Sequence, residues 1–121
     1  MWKLDADRPI YMQIVERIEK QIISGAYGSG DRIPSVRELA AQAGVNPNTM
    51  QRAMTELERK GLIAGHRTRG RVVTEDREMI EERRGYMAKE MIREFLWQMR
   101  ELGFDKEEIL PLLRQEVTDD V

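Results

Sequence analysis

The chain contains no cysteine and only one histidine. Without cysteine there are no disulfides and no thiolate chemistry, which fits a reducing interior such as the cytoplasm. With one histidine, most histidine-based metal sites are excluded. There is also no Ser-His-Asp set and no carboxylate pair placed for acid–base work. No metal, no cofactor and no enzymatic activity is expected. The chain has no apolar run long enough to span a bilayer, and its opening, MWKLDADRPIYM, has no apolar segment of signal-peptide length. No membrane association is expected. The glycine-rich stretch Gly25 to Asp31 is not followed by Gly-Lys-Ser/Thr, so it reads as a turn-rich loop and not as a nucleotide cradle.

An excess of positive charge is missing as well. The 121 residues carry a net charge of −2, which at first argues against a nucleic-acid partner. The two parts of the chain differ, however. Residues 1–74 hold 12 Lys and Arg against 8 Asp and Glu, a net of +4, whereas residues 75–121 hold 8 against 14, a net of −6. Positive potential therefore gathers on the first part. The length allows one small domain and an appendage, with boundaries expected at 1–74 and 75–121.

What is present is a helix, a tight turn and a second helix. Ser35-Val36-Arg37-Glu38 is a capping box opening a helix that turns Leu39, Ala40 and Ala43 inward and stops at Gly44. Asn46 then caps a second helix with Pro47 at its first position. Met50, Ala53, Met54 and Leu57 fall on one face of it. The opposite face carries Asn48, Gln51, Arg52 and Thr55, with Asn46 and Thr49 at the entrance. Helix, glycine turn, helix is the skeleton of a DNA-reading motif, whose second helix meets base edges with its first residues. Asn and Gln can pair with adenine, Arg with guanine, and a Thr methyl can touch thymine. A solvated polar face is the plainer reading of any single helix. The next segment speaks against it: Gly65-His66-Arg67-Thr68-Arg69-Gly70-Arg71 is a basic hairpin tip, unsuited to a core and suited to phosphates or a minor groove. At period two, Arg67, Arg69 and Arg71 project to one face if the hairpin stays extended. Gly70 is expected to serve backbone conformation.

Around this pair lie the other elements. Ile10, Ile14, Ile18 and Ile22, with Tyr11 and Val15, form the inward stripe of a first helix from Pro9 to about Ser24. Trp2 and Leu4 are expected to tuck onto the body. Arg32 and Ile33 fit a brief strand beside the wing, stopped by Pro34. From about Asp76 to Leu102 runs a long charged helix with Met79, Ile80, Tyr86, Met87, Met91, Phe95, Met99 and Leu102 at three-to-four spacing. Gly103 ends it, and an Asp105–Glu108 capping box starts a last helix offering Ile109 and Leu113. Pro111 inside that helix is expected to kink it or delay its start. The fold expected is mostly α with a small β-hairpin wing, an N-terminal winged helix-turn-helix followed by a two-helix dimerisation segment. Such apolar faces need a partner, and a second copy is the simplest; the methionines also suit a small effector pocket.

The run RIPSVRELAAQAGVNPNTMQRAMTELERKGLI, followed by RGRVV, resembles the winged-helix domain of the GntR family of bacterial transcription regulators over about residues 8–74. The remainder is similar to the branch named after YtrA, whose members carry only a small helical dimerisation segment. Many relatives have an arginine near the first turn of the recognition helix, where this chain has Asn46-Pro47-Asn48. The resemblance implies that Arg37, the start of the second helix and the wing touch double-stranded DNA. It further implies a homodimer on a palindromic operator, repression, and control of a neighbouring transporter operon. The rival from the residues alone is a winged helix used as a protein–protein assembly module.

Overall fold

The computed structural model describes residues 1–120. The elements run α1 (Ile10–Ile23), α2 (Val36–Ala43), α3 (Pro47–Arg59), β1 (Ile63–His66), β2 (Gly70–Val73), α4 (Arg77–Glu101) and α5 (Lys106–Asp119). They form two compact units, divided within α4 between Arg84 and Gly85. The first unit therefore extends past Thr74 to include the opening turns of α4. Among the described residues, no helix is long and apolar enough to cross a membrane.

The first unit is a three-helix cluster closed by a hairpin. Ile14 and Ile18 of α1 and Met50, Ala53, Met54 and Leu57 of α3 are all fully buried. Burying a Leu, Ile or Met side chain stabilises by roughly 1.5–3 kcal/mol, so this seam fixes α3 against α1. Leu39, Ala40 and Ala43 bring α2 onto the same core. The local signals operate as the residues demand. Ser35 Oγ accepts from the Glu38 amide at 3.1 Å, and Glu38 Oε1 accepts from the Ser35 amide at 3.4 Å. Gly44 then takes φ 74°, a left-handed position that an L side chain resists, and α3 can start at once in a new direction. The side chain of Met1, itself exposed, lies beside this turn, and a Cβ at Gly44 would run into its sulfur.

The hairpin pairs Ile63 with Val73 and His66 with Gly70. In place of the short strand expected at Arg32 and Ile33 there is an isolated bridge: Arg32 bridges Val72 antiparallel, the Ile33 amide donates to Arg71 O at 2.9 Å, and the Val73 amide donates to Asp31 O at 2.8 Å. Leu62, Ile63, Val73 and Ile33 close the bottom of the core.

Two polar residues of α1, Gln13 and Glu19, are buried alongside its apolar ones. Gln13 accepts from the Asp5 amide at 2.7 Å and donates to the carbonyls of Asp5 and Arg8 at 2.8 and 3.1 Å. Its amide thus pins the N-terminal lead, aided by Trp2, whose ring lies 4.4 Å from the Arg17 guanidinium. Glu19, whose side chain is 4% exposed, takes Arg83 of α4 at 2.8 Å and Lys60 at the end of α3 at 3.7 Å. Met79 and Ile80, grouped in sequence with the dimerisation stripe, instead pack against the core of this first unit. The ion pair at Glu19 explains why: it draws the first turns of α4 onto the winged helix.

The second unit comprises the rest of α4 and α5. Gly103, at φ 91°, turns the chain. Asp105 then accepts from the Glu108 amide at 2.9 Å, and Glu108 accepts from the Asp105 amide at 3.2 Å. Helix α5 runs from Lys106 with Pro111 inside it, so the proline does not delay its start. Among the described residues of this unit only Ile109 is buried. Tyr86, Met91, Phe95, Leu102 and Leu113 are exposed, as are Ile92, Trp97, Leu110, Leu112 and Val117; Met87 and Met99 are half-buried.

Candidate nucleic-acid interface

The polar face of α3 is ordered by local contacts that give its residues different tasks. Asn46 Oδ1 accepts from the Asn48 amide at 2.7 Å, satisfying a donor that helix geometry leaves open. One acceptor position of its oxygen is thereby used by the cap. Asn48 and Gln51 are exposed and Thr49 is half-buried. Thr55 Oγ1 donates to Gln51 O at 3.0 Å and accepts from Gln51 Nε2 at 3.4 Å, a weak contact that a base edge can displace.

Arg52 is exposed and also meets a neighbouring helix. Its guanidinium carbon lies 3.7 Å from the ring centroid of Tyr11 on α1, within cation–π range. The arginine is thus drawn to the α1 side of the helix. Tyr11 enters the site through this contact. In the sequence it read only as part of the core stripe, since a cross-helix pair carries no periodic signal.

The wing departs from expectation. Arg67, Thr68 and Arg69 are the turn itself, between strands that end at His66 and begin at Gly70. Period-two alternation therefore breaks at the tip, and the three arginines do not share a face. Arg69 donates to Gly30 O at 3.1 Å, and Arg71 pairs with Glu58 of α3 at 2.5 Å. Both hold the wing to the body. Arg67 makes no hydrogen bond or ion pair among the described residues. His66 Nδ1 sits 3.4 Å from both the amide and the hydroxyl of Thr68, a contact that shapes the tip. Gly70 has φ 77°, the conformational role expected of it.

Between the wing and the start of α2 lies an open groove of about 780 Å³, bordered by Arg32, Ser35, Arg37, Arg67 and Arg71. Arg37 stands exposed in the first turn of α2, with no ion pair among the described residues. Glu58 also borders the groove but is neutralised by Arg71. Glu56, two residues earlier, is likewise held by Arg59, whose hydrogen bond keeps the Glu56 carboxyl below the usual carboxylate range. The acids at the end of α3 therefore do little to offset the positive rim. A polar helix face flanked by this rim has the geometry of a major-groove reader with phosphate contacts beside it.

Residues 10–73 match the family described as bacterial regulatory proteins, gntR family. The chain is 39% identical over 108 residues to the HTH-type transcriptional regulator YhcF of Bacillus subtilis (strain 168), covering 89% of each. It is 34% identical over 114 residues to the HTH-type transcriptional repressor YtrA of the same organism, covering 93% of this chain and 87% of that one. Among solved structures, a GntR family transcriptional regulator from Listeria monocytogenes superposes with a TM-score of 0.85 at 41% identity, over 93% of this chain and 98% of that one. Sequence, fold and polar helix face agree: the chain belongs to the GntR family of bacterial regulatory proteins, as a winged-helix DNA-binding transcriptional regulator of the YtrA-like branch.

Proposed function

We propose that the protein works in the cytoplasm as a homodimeric repressor on a palindromic operator. Each α3 enters the major groove of one half-site, and half-sites lie about 10 base pairs apart or a multiple of that. Asn48, Thr49 and Gln51 read bases, with Arg52 at the edge of the footprint, while Arg37 and the wing grip phosphates. The observation that carries this reading is the contrast on α3: a fully buried apolar face backs a face whose amides stand open to solvent.

The pairing of two copies rests on the second unit. At ~100° per residue, Met87, Met91, Phe95, Met99 and Leu102, extended by Ile92, span an arc of roughly 140° on α4. An arc that wide is more than one neighbouring helix covers. Leu110, Leu113 and Val117 leave a matching face on α5. A symmetric partner offering the same two faces would close both. Repression, and a neighbouring transporter operon as the target, follow from similarity to the YtrA branch. Capture of genomic fragments by the intact protein tests the whole reading. The expected result is a motif with two-fold symmetry upstream of an operon whose transcript rises when the gene is deleted. Fragments enriched without any shared motif would overturn it.

A further inference from the structure

The groove between α2 and the wing holds a cation that neither helix nor hairpin supplies. Arg32 lies in the segment before α2, in an isolated antiparallel bridge with Val72 of β2. That pairing sets its side chain beside the wing, where Arg32 Nε would be 3.9 Å from a Cβ at Gly70. Its guanidinium is exposed and makes no hydrogen bond or ion pair among the described residues. Two of the wing arginines are in the opposite condition. Arg69 is spent on Gly30 O and Arg71 on Glu58. An arginine that must give up a hydrogen bond or an ion pair before meeting a phosphate gains less than one already free, because it exchanges one acceptor for another.

We propose that Arg32 is a phosphate-binding residue of this protein, gripping the DNA backbone from the groove opposite Arg37, and that Arg69 and Arg71 anchor the wing instead of touching phosphate. This rests on the DNA-binding reading and divides the work within it. Arg32, Arg37 and Arg67 form the phosphate-contacting rim.

Salt dependence of binding measures the assignment. The probe is a mixed-sequence DNA duplex, followed by fluorescence anisotropy across a potassium chloride series with the full chain. Each phosphate neutralised contributes about −0.9 to the slope of log K against log salt. Arg32→Ala should make the slope shallower by roughly that amount per protomer, and Arg32→Lys should keep it, since the charge remains. Arg69→Gln and a control on α5, Arg114→Ala, should keep the wild-type slope. The substitution is at an exposed side chain, so an unchanged thermal melting profile should accompany the lost slope. An Arg32→Ala slope equal to wild type overturns the proposal alone, as does a loss of slope in Arg69→Gln. A wild-type chain that fails to bind duplex even in dilute salt overturns the DNA-binding reading with it.

Discussion

Glu19 is the place where one side chain holds three helices, and its replacement by glutamine should be felt as stability. The carboxylate is 4% exposed on α1; Arg83 reaches it from α4 with two hydrogen bonds, at 2.8 and 3.3 Å, and Lys60 approaches from the end of α3 at 3.7 Å. Breaking a fully buried ion pair by removing one partner typically costs ~3–5 kcal/mol. Here the cations are 36% and 30% exposed, so water can take up part of their charge once Glu19 is neutral. Glutamine also keeps an oxygen that Arg83 can bond. The cost of Glu19→Gln should therefore fall to about 1–3 kcal/mol. Urea unfolding at equal protein concentration is the assay. The midpoint should drop with an unchanged dependence on denaturant, since no surface burial is altered. Lys60→Ala should cost under ~1 kcal/mol alone and add little to Glu19→Gln, because the two share one interaction. A Glu19→Gln midpoint within ~0.3 kcal/mol of wild type would refute the reasoning.

Three further outcomes are expected. Gln51→Ala should weaken operator binding by ~1–3 kcal/mol and relax preference at particular positions; equal loss on operator and scrambled duplex would remove it from base reading. Tyr11→Leu should shift sequence preference at the same positions as Arg52→Ala, whereas Tyr11→Phe, which keeps the ring, should not. Selection profiles in which Leu and Phe behave alike would dismiss the stacking contact. The Glu56 carboxyl, lowered by the hydrogen bond from Arg59, should titrate below a free glutamate when followed by nuclear magnetic resonance. Because the folded value is the lower one, this pair favours the folded chain above the unfolded carboxyl's range. That support disappears as pH falls through the folded value, and Arg59→Ala should return Glu56 to ordinary behaviour.

Much of the winged helix was legible because its signals are local. The Ser35–Glu38 box, the left-handed stop at Gly44 and the inward stripe of Met50 to Leu57 each need only a few adjacent residues to be recognised. Arg32 could be placed near the wing but not given a task, because its value depends on Arg69 and Arg71 being occupied. Those occupations involve Gly30 and Glu58, far away in the chain, and no spacing announces them. Glu19 left a trace: it falls four residues after Val15 and three before Ile22, an acid on an apolar stripe. Its partner Arg83 shows no such mark. The same contact explains Met79 and Ile80, whose spacing continued the α4 stripe while their burial belongs to the first unit. Arg67 to Arg71 misled because alternation was carried through a turn, where side chains no longer alternate.

The placement of Met1 beside Gly44 has a practical side. With Gln13 fastening Asp5 and Arg8 to the body, the first residue is led to the bend that introduces α3, a short step from the Asn46 cap. An affinity tag fused ahead of Met1 would thus emerge beside the reading helix and crowd the duplex. Preparations bearing such a tag should understate how tightly the untagged chain holds its operator.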